Sequence, residues 1–332
     1  AKIFLEAFES SRVVTKTVNT QLLSGKFNPS TGTKVDFKRP HDYNTIRTTG
    51  GDIAAAAKSD IIAGKATGTI QPYFTAATSW SNIQEALELD QLDQILEPMA
   101  RRLVTDLELD LAKFMRINTG LNYGNRGTAV DAWSDVAGAG AMMNSVGVPM
   151  SDSKYYLMNP FTTTALASAQ SGLNAADGLV RTAFENAQIA SNFGGMKALT
   201  SNALSSYTSG TTTDRAGDLK VAPDATYITA KDTMQQTMVI ETLGTGTIEA
   251  GDQIQIAGVN RLNIATRQVI LDAAGIAVPW TGTVLSVVTI AGNEATVIVS
   301  AAAIFEANGQ YNNVDAAPAA GAVVTILGAA ST

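Results

Sequence analysis

The hydrophobic period of this chain changes along its length. Between residues 81 and 118, Leu92, Ile95/Leu96, Met99, Leu103, Leu107, Leu111 and Phe114/Met115 recur at i, i+3/i+4, the apolar stripe of an amphipathic helix. From 218 to 330 the period falls to two, in short runs separated by turn residues, the pattern of antiparallel strands. Helical and strand-forming stretches are segregated, which predicts an α+β fold.

Five regions follow. Residues 1–32 form an arm, with a helical piece over 18–23 broken by Gly25 and Asn28-Pro29. Residues 33–80 form an extended excursion. Val35 and Phe37 alternate with Asp36 and Lys38 in a half-buried strand ending at Arg39-Pro40, and the return leg runs through Ile61-Ile62, Gly64 to Gly68 and Ile70. A bare two-stranded ribbon is marginal in water, so the excursion must lie on something else. Residues 81–127 carry the long helix. Pro98 predicts a short helix to about Leu96 and a second from Pro98 to about Ile117, stopped by Gly120, Gly124 and Gly127. Residues 128–221 are a mixed unit: a strand over 155–158, helices over 161–169 and 179–189, a turn at Gly194-Gly195 into another strand, and a Ser/Thr/Gly linker over 205–213. Residues 222–330 hold strands over 226–229, 238–242, 253–257, 263–267, 283–290, 295–300 and 323–327, a small β-barrel or sandwich.

Composition removes most chemistry. The chain has no cysteine, which excludes disulfides, thiolate catalysis and Cys-based metal sites. Its one histidine, His41, has only Asp42 beside it, too little for a catalytic triad. Gly50-Gly51 and Gly194-Gly195 match no phosphate or dinucleotide loop. Gly-x-Ser-x-Gly is absent, and Trp80, Trp133 and Trp280 are scattered. No catalytic, cofactor or metal residues are assigned, and an enzyme is the weaker reading.

Charge is more informative. The net value of −7 argues against a general nucleic-acid binder. Residues 1–79 carry 10 Lys/Arg against 6 Asp/Glu, 80–118 carry 4 against 8, and 217–332 carry 4 against 10. A basic first quarter precedes an acidic helix, whose Glu85, Glu88, Asp93, Glu97, Asp106, Glu108 and Asp110 are expected to form a solvated face partnered by Arg101, Arg102, Lys113 and Arg116 rather than a catalytic carboxylate pair. Charged residues are only 16%, where about 25% is usual, so much of the surface is not meant for water alone. No signal peptide or membrane-length apolar run occurs. The start at Ala1 suits a cytosolic product that has lost its initiator methionine. Fixing about 45 residues of excursion costs on the order of 1–2 kcal/mol each in backbone entropy, which burial against another chain can offset. These features describe an assembly subunit.

The residues also resemble the major coat proteins of short-tailed enterobacterial phages, the Salmonella phage P-twenty-two type and most closely its Shigella-phage branch. The resemblance rests on Lys16-Thr17-Val18 with Gln21-Leu22-Leu23-Ser24-Gly25, Phe37-Lys38-Arg39-Pro40-His41 and Ile62-Ala63-Gly64-Lys65-Ala66-Thr67-Gly68. It continues through Val104-Thr105-Asp106-Leu107-Glu108, Trp133-Ser134-Asp135-Val136, Asn192-Phe193-Gly194-Gly195 and Ala250-Gly251-Asp252-Gln253. It implies the tailed-phage (Hong Kong ninety-seven type) capsid fold: arm 1–32, E-loop 33–80, peripheral domain with spine helix 81–127, axial domain 128–221 and inserted β-barrel 222–330. It further implies a virion shell of hexamers and pentamers around double-stranded DNA. Such shells assemble in the host cytoplasm with a scaffolding protein and a portal protein, without cofactor or membrane. The family continues beyond the last barrel strand, so the end at Ser331-Thr332 is expected to mark a truncated or cleaved chain. The acidic loop of the Salmonella type is reduced here to Ala230-Lys231-Asp232-Thr233, and its contact is not carried over.

Between copies, Lys38, Arg39, Arg47, Lys58 and Lys65 are expected to face Glu85, Glu88 and Asp93 of a neighbour's spine; the alternative is that they are merely solvated. Glu6 and Glu9 are the candidate scaffold contacts. The alternative function is a surface or tail-associated binding protein with a β receptor or glycan module.

Overall fold

The computed structural model describes residues 11–18, 32–54, 58–72, 74–77, 92–124, 126–171 and 185–331, with residues 6, 9 and 183 besides. In the excursion, β1 (Lys34–Lys38) and β2 (Lys65–Thr69) pair antiparallel, with Lys34 opposite Thr69 and Lys38 opposite Lys65. Val35 and Ala66 alone are partly covered in this ribbon. The expected half-buried strand is therefore mostly exposed, because among the described residues little packs on either face of it.

The helix α1 (Leu92–Ile117) runs through Pro98 without restarting. Proline removes one intrahelical bond and crowds the carbonyl four residues earlier. Pro98 is exposed, so the freed carbonyl can be solvated, and the expected break is absent. The buried stripe also differs from the expected one. Ala100, Val104 and Glu108 are buried, at i, i+4 and i+8, while Leu103, Leu107 and Leu111 are half-covered and Phe114 is 62% exposed. The described residues expected to form the apolar face are thus only partly used within the subunit.

A second helix, α2 (Trp133–Val146), was not expected from its Ala/Gly-rich sequence. Asp135 in its first turn accepts the Ala132 N–H at 3.2 Å, a local cap that favours helix initiation. Strand β3 (Tyr155–Met158) leads into α3 (Pro160–Ser171). Then β4 (Asn192–Phe193) turns into β5 (Met196–Thr200), which lies between β3, parallel to it, and β4, antiparallel. Val136, Met158, Leu166, Phe193 and Met196 form the core of this unit. Of the helix expected over 179–189, residues 179–182 and 184 fall outside the described residues, 183, 185 and 186 are helical, and 187–189 are not.

Among the described residues, six strands close a barrel: β6 (Ala216–Leu219), β7 (Gln235–Glu241), β9 (Gln253–Asn260), β10 (Pro279–Val284), β12 (Ala295–Ser300) and β13 (Val323–Ile326), in the order β10-β12-β7-β6-β13-β9. A small separate pair joins β8 (Thr247–Ile248) to β11 (Val288–Thr289). The barrel starts at Ala216, ahead of the expected boundary at 222. Met238 and Ile240 on β7 and Ala295, Val297 and Val299 on β12 point inward at period two, around a fully buried Trp280.

Three expected strands are corrected. Residues 227–230 form a short helix, α4 (Tyr227–Ala230), because Asp224 accepts from the Thr226 N–H and from the Thr226 and Thr229 hydroxyls. Residues 263–267 form a turn, in which Asn263 Oδ1 accepts the Ala265 and Thr266 N–H groups. The run over 283–290 is split between β10 and β11.

The barrel is fastened to the end of α1 by polar groups. Thr281 Oγ1 donates to Gly120 O at 2.8 Å, Ser300 Oγ donates to Thr119 O at 3.0 Å, and the buried Arg261 donates to Gly120 O and to Thr281 O. Burial pushes the Arg261 guanidinium down to about 10. This outer cover explains why β10 is buried on both faces rather than alternately.

Candidate inter-subunit surfaces

The excursion is gripped at its root by the barrel of its own subunit. Arg39 Nη2 donates to Asp232 O at 3.3 Å, and the Lys65 N–H donates to Asp232 Oδ1 at 3.0 Å. Asp42 pairs with Arg267, Asn44 Nδ2 donates to Asn308 O at 2.6 Å, and Gln310 Nε2 donates to Asp60 O at 2.6 Å. Beneath these bonds Ile62 packs on a cluster containing Tyr227, Ala302 and Ile304, where Tyr227 and Tyr311 stack with centroids 3.6 Å apart. Gly64 sits so close that a Cβ there would lie 2.8 Å from Lys231 O and 2.9 Å from the Tyr227 hydroxyl. The expectation that the excursion has no hold on its own body is corrected at this point. Sequence reading missed the grip because its partners lie more than 160 residues away and are polar.

Between and beside these holds, apolar side chains of the excursion stay exposed. Tyr43, Ile46, Ile53, Ile61, Ile70 and Phe74 all present apolar surface to solvent, Ile61 at 75%. Six exposed large apolar side chains within one excursion exceed the scattered single residues of an ordinary surface.

The expected basic contacts divide. Lys38, Arg47 and Lys58 are exposed. Lys65 pairs with Asp36 at 2.9 Å across the ribbon. The Thr67 hydroxyl and then Lys65 hold the Asp36 carboxyl below its ordinary value, and Asp36 in turn raises the Lys65 ammonium. Arg39 is half-buried at the root. Glu85 and Glu88 lie outside the described residues, as does the Asp93 side chain. Glu9 pairs with Arg12 at 2.5 Å, and Glu6 is exposed.

The arm is latched to α1 by one buried carboxylate. Glu108 Oε2 accepts the N–H groups of Val13 at 3.1 Å and Val14 at 2.6 Å, while Oε1 accepts the N–H and hydroxyl of Thr15 at 2.9 and 2.7 Å. Successive N–H groups of the short helical turn Val14–Lys16 thus converge on one anion. Burial pushes the Glu108 carboxyl up, but the hydrogen bonds from Thr15, Val14 and Val13 outweigh it and leave the group below its usual 4.5. The sequence placed Glu108 on a solvated face; the arm covers it instead.

Compared with known proteins, the chain matches over residues 1–332 the family model described as P22 coat protein - gene protein 5. It is 44% identical over 334 aligned residues to the "Major capsid protein" of Acyrthosiphon pisum secondary endosymbiont phage 1, covering 99% of this chain and 78% of that protein. A solved chain of Mycobacterium phage Che8 is similar at 16% identity and a TM-score of 0.39 over 82% of each chain, a likeness too low to argue from.

Proposed function

The chain belongs to the P22 coat protein family, and from that premise we propose how its parts serve a shell. It is a major capsid protein of a phage, structural rather than catalytic. In the proposed assembly, copies join as hexamers and pentamers into an icosahedral head around double-stranded DNA. A scaffolding protein, met by Glu6 and Glu9, and a portal protein take part, and assembly occurs in the host cytoplasm. The fold is the tailed-phage capsid type: arm, E-loop from 33 to 80, spine helix in a peripheral domain, axial domain, and a β-barrel inserted near residue 216.

The observation that carries this reading is the set of exposed apolar side chains Tyr43, Ile46, Ile53, Ile61, Ile70 and Phe74 on an excursion that is otherwise anchored to its own subunit by polar contacts over 39–44 and 60–65. A neighbouring copy is the surface that those side chains fit. Lys38, Arg47 and Lys58 then steer it against Glu85, Glu88 and Asp93 of the neighbour's spine, each exposed pair contributing under about 1 kcal/mol. Apolar burial supplies most of the affinity, and the charges set register. Arg39 and Lys65, already engaged within the subunit, hold the root instead.

Electron microscopy of the protein made with its scaffold tests the shell. Replacing Lys38, Arg47 and Lys58 together by Glu is expected to give aberrant or no shells while the circular dichroism and melting of the unassembled chain stay unchanged. Normal shells from that variant would remove the charge pairing, and absence of any shell from the unaltered protein would remove the reading itself.

A further inference from the structure

Where the last turn of α1 meets the linker before the barrel, two arginines stack on one phenol and a third pairs with the acid that the phenol hydrogen-bonds. The guanidinium carbons of Arg116 and Arg126 lie 4.5 and 4.8 Å from the Tyr207 ring centroid, and Arg215 lies 3.5 Å from the fully buried Asp252. Asp252 is the one acid in this group, and its oxygens are committed. Oδ1 accepts the Tyr207 hydroxyl at 2.5 Å, and Oδ2 accepts the N–H groups of Gly210 at 3.0 Å and Glu249 at 2.8 Å.

Among the described residues neither Arg116 nor Arg126 forms an ion pair, the single acid Asp252 being paired with Arg215. Arg116 Nε and Nη1, Arg126 Nη1 and Arg215 Nη1 are buried without a hydrogen-bond partner among those residues. Buried donors left unpaired are costly and rare, more so when charged. Burial, and then repulsion from Arg126, hold Arg116 below its ordinary value. Beside them is a cavity of about 320 Å³ lined by Arg126, Tyr207, Ser209, Leu327 and Gly328. Gly328 has φ +85°, and a Cβ there would come within 2.9 Å of Arg126 Cβ. Only glycine lets the two backbones close this wall.

We propose that Arg126, which lines this cavity with Tyr207 and Ser209, binds an oxyanion there, while Arg116, stacked on the same ring, adds positive charge behind it. Guanidinium forks match carboxylate and phosphate oxygens in pairs. The aromatic ring holds both cations at stacking distance, so the fork is set before the anion arrives. The oxyanion has two sources, a free ion or an acidic side chain of a second copy. The second source rests on the capsid reading and the first does not.

The test uses the full, unassembled chain and its assembled shells. In the first arm the melting temperature is followed in sodium phosphate, sodium acetate and sodium chloride at equal ionic strength. A free-ion site predicts a rise of about 2 °C or more in phosphate over chloride, lost in Arg126→Gln. In the second arm, no phosphate effect on the monomer, together with an Arg126→Gln shell that dissociates at a lower temperature while its monomer melts normally, assigns the site to a neighbour's carboxylate. Equal phosphate effects in wild type and variant reflect general salt exclusion and overturn the proposal. So does a variant unaltered in both arms. Should Arg126→Gln fail to fold, Arg126→Lys, which keeps the charge and loses the fork, is put through the same two arms.

Discussion

Glu108 illustrates how one side chain can tie two distant pieces of chain. It sits on the buried stripe of α1 and collects the N–H groups of Val13, Val14 and Thr15. A carboxylate serves better there than an apolar residue, because the arm's donors would otherwise be orphaned. Glu108→Ala is expected to destabilise the arm by about 2 kcal/mol, the cost of buried donors left unpaired. Hydrogen exchange at Val13 to Thr15 should accelerate while the middle of α1 stays protected; unchanged exchange would show that other contacts hold the arm. The latch also depends on pH. Because the folded state holds Glu108 below its ordinary 4.5, its stabilisation is complete above that value and fades as pH falls through the lowered folded pKa. Amide exchange at Val14 followed from pH 6 down to about pH 3 should show this loss in the wild type and not in Glu108→Gln, which lacks the titrating group.

The excursion combines fastened positions, over 39–44 and 60–65, with apolar side chains left exposed. At the root, Gly64 permits the ribbon to lie against Lys231 and Tyr227. Gly64→Ala introduces a Cβ within 3 Å of backbone and phenol oxygen, an overpacking expected to cost about 1–3 kcal/mol. The penalty should fall on docking rather than on the barrel, whose core of Trp280, Ile254, Ile256 and Val297 is elsewhere. Limited trypsin digestion should therefore cut faster at Lys58 and Lys65 in Gly64→Ala, with the barrel's melting unchanged. Equal cutting rates would mean that the root is already open in solution. The continuity of α1 through Pro98 belongs to this scale too: local chemistry favours a break, and a solvated position on a 26-residue helix tolerates its absence.

At the scale of the whole molecule, low charge and exposed apolar side chains point the same way. The half-covered stripe of α1, with Phe114 and Met115 exposed, and the exposed apolar side chains from Tyr43 to Phe74 are surfaces left over from folding. If apolar burial holds copies together and charge only guides them, salt should act on rate more than on endurance. Raising ionic strength from about 0.1 M to about 1 M shortens the screening length from about 10 Å to about 3 Å. Assembly followed by light scattering should slow, while finished shells persist. Shells that dissolve at high salt would show that charge pairs carry the affinity.

How much of this was legible in the sequence depended on how local the cause was. The long helix, the excursion ribbon, β3 and β12 follow from period and turn chemistry over a few residues. Residues 227–230 and 263–267 failed the same method because Asp224 and Asn263 bind nearby backbone and hydroxyl groups that a strand would leave unpaired. The latch at Glu108, the root on the barrel and the arginine cluster at Tyr207 were beyond it. Each joins polar groups far apart in sequence, and such groups carry no periodicity. The sequence by itself determined which stretches become helix and which become strand, because hydrophobic spacing is read along the chain. Only the tertiary structure decided which charges are buried and which apolar faces stay bare, because burial depends on what the fold brings alongside.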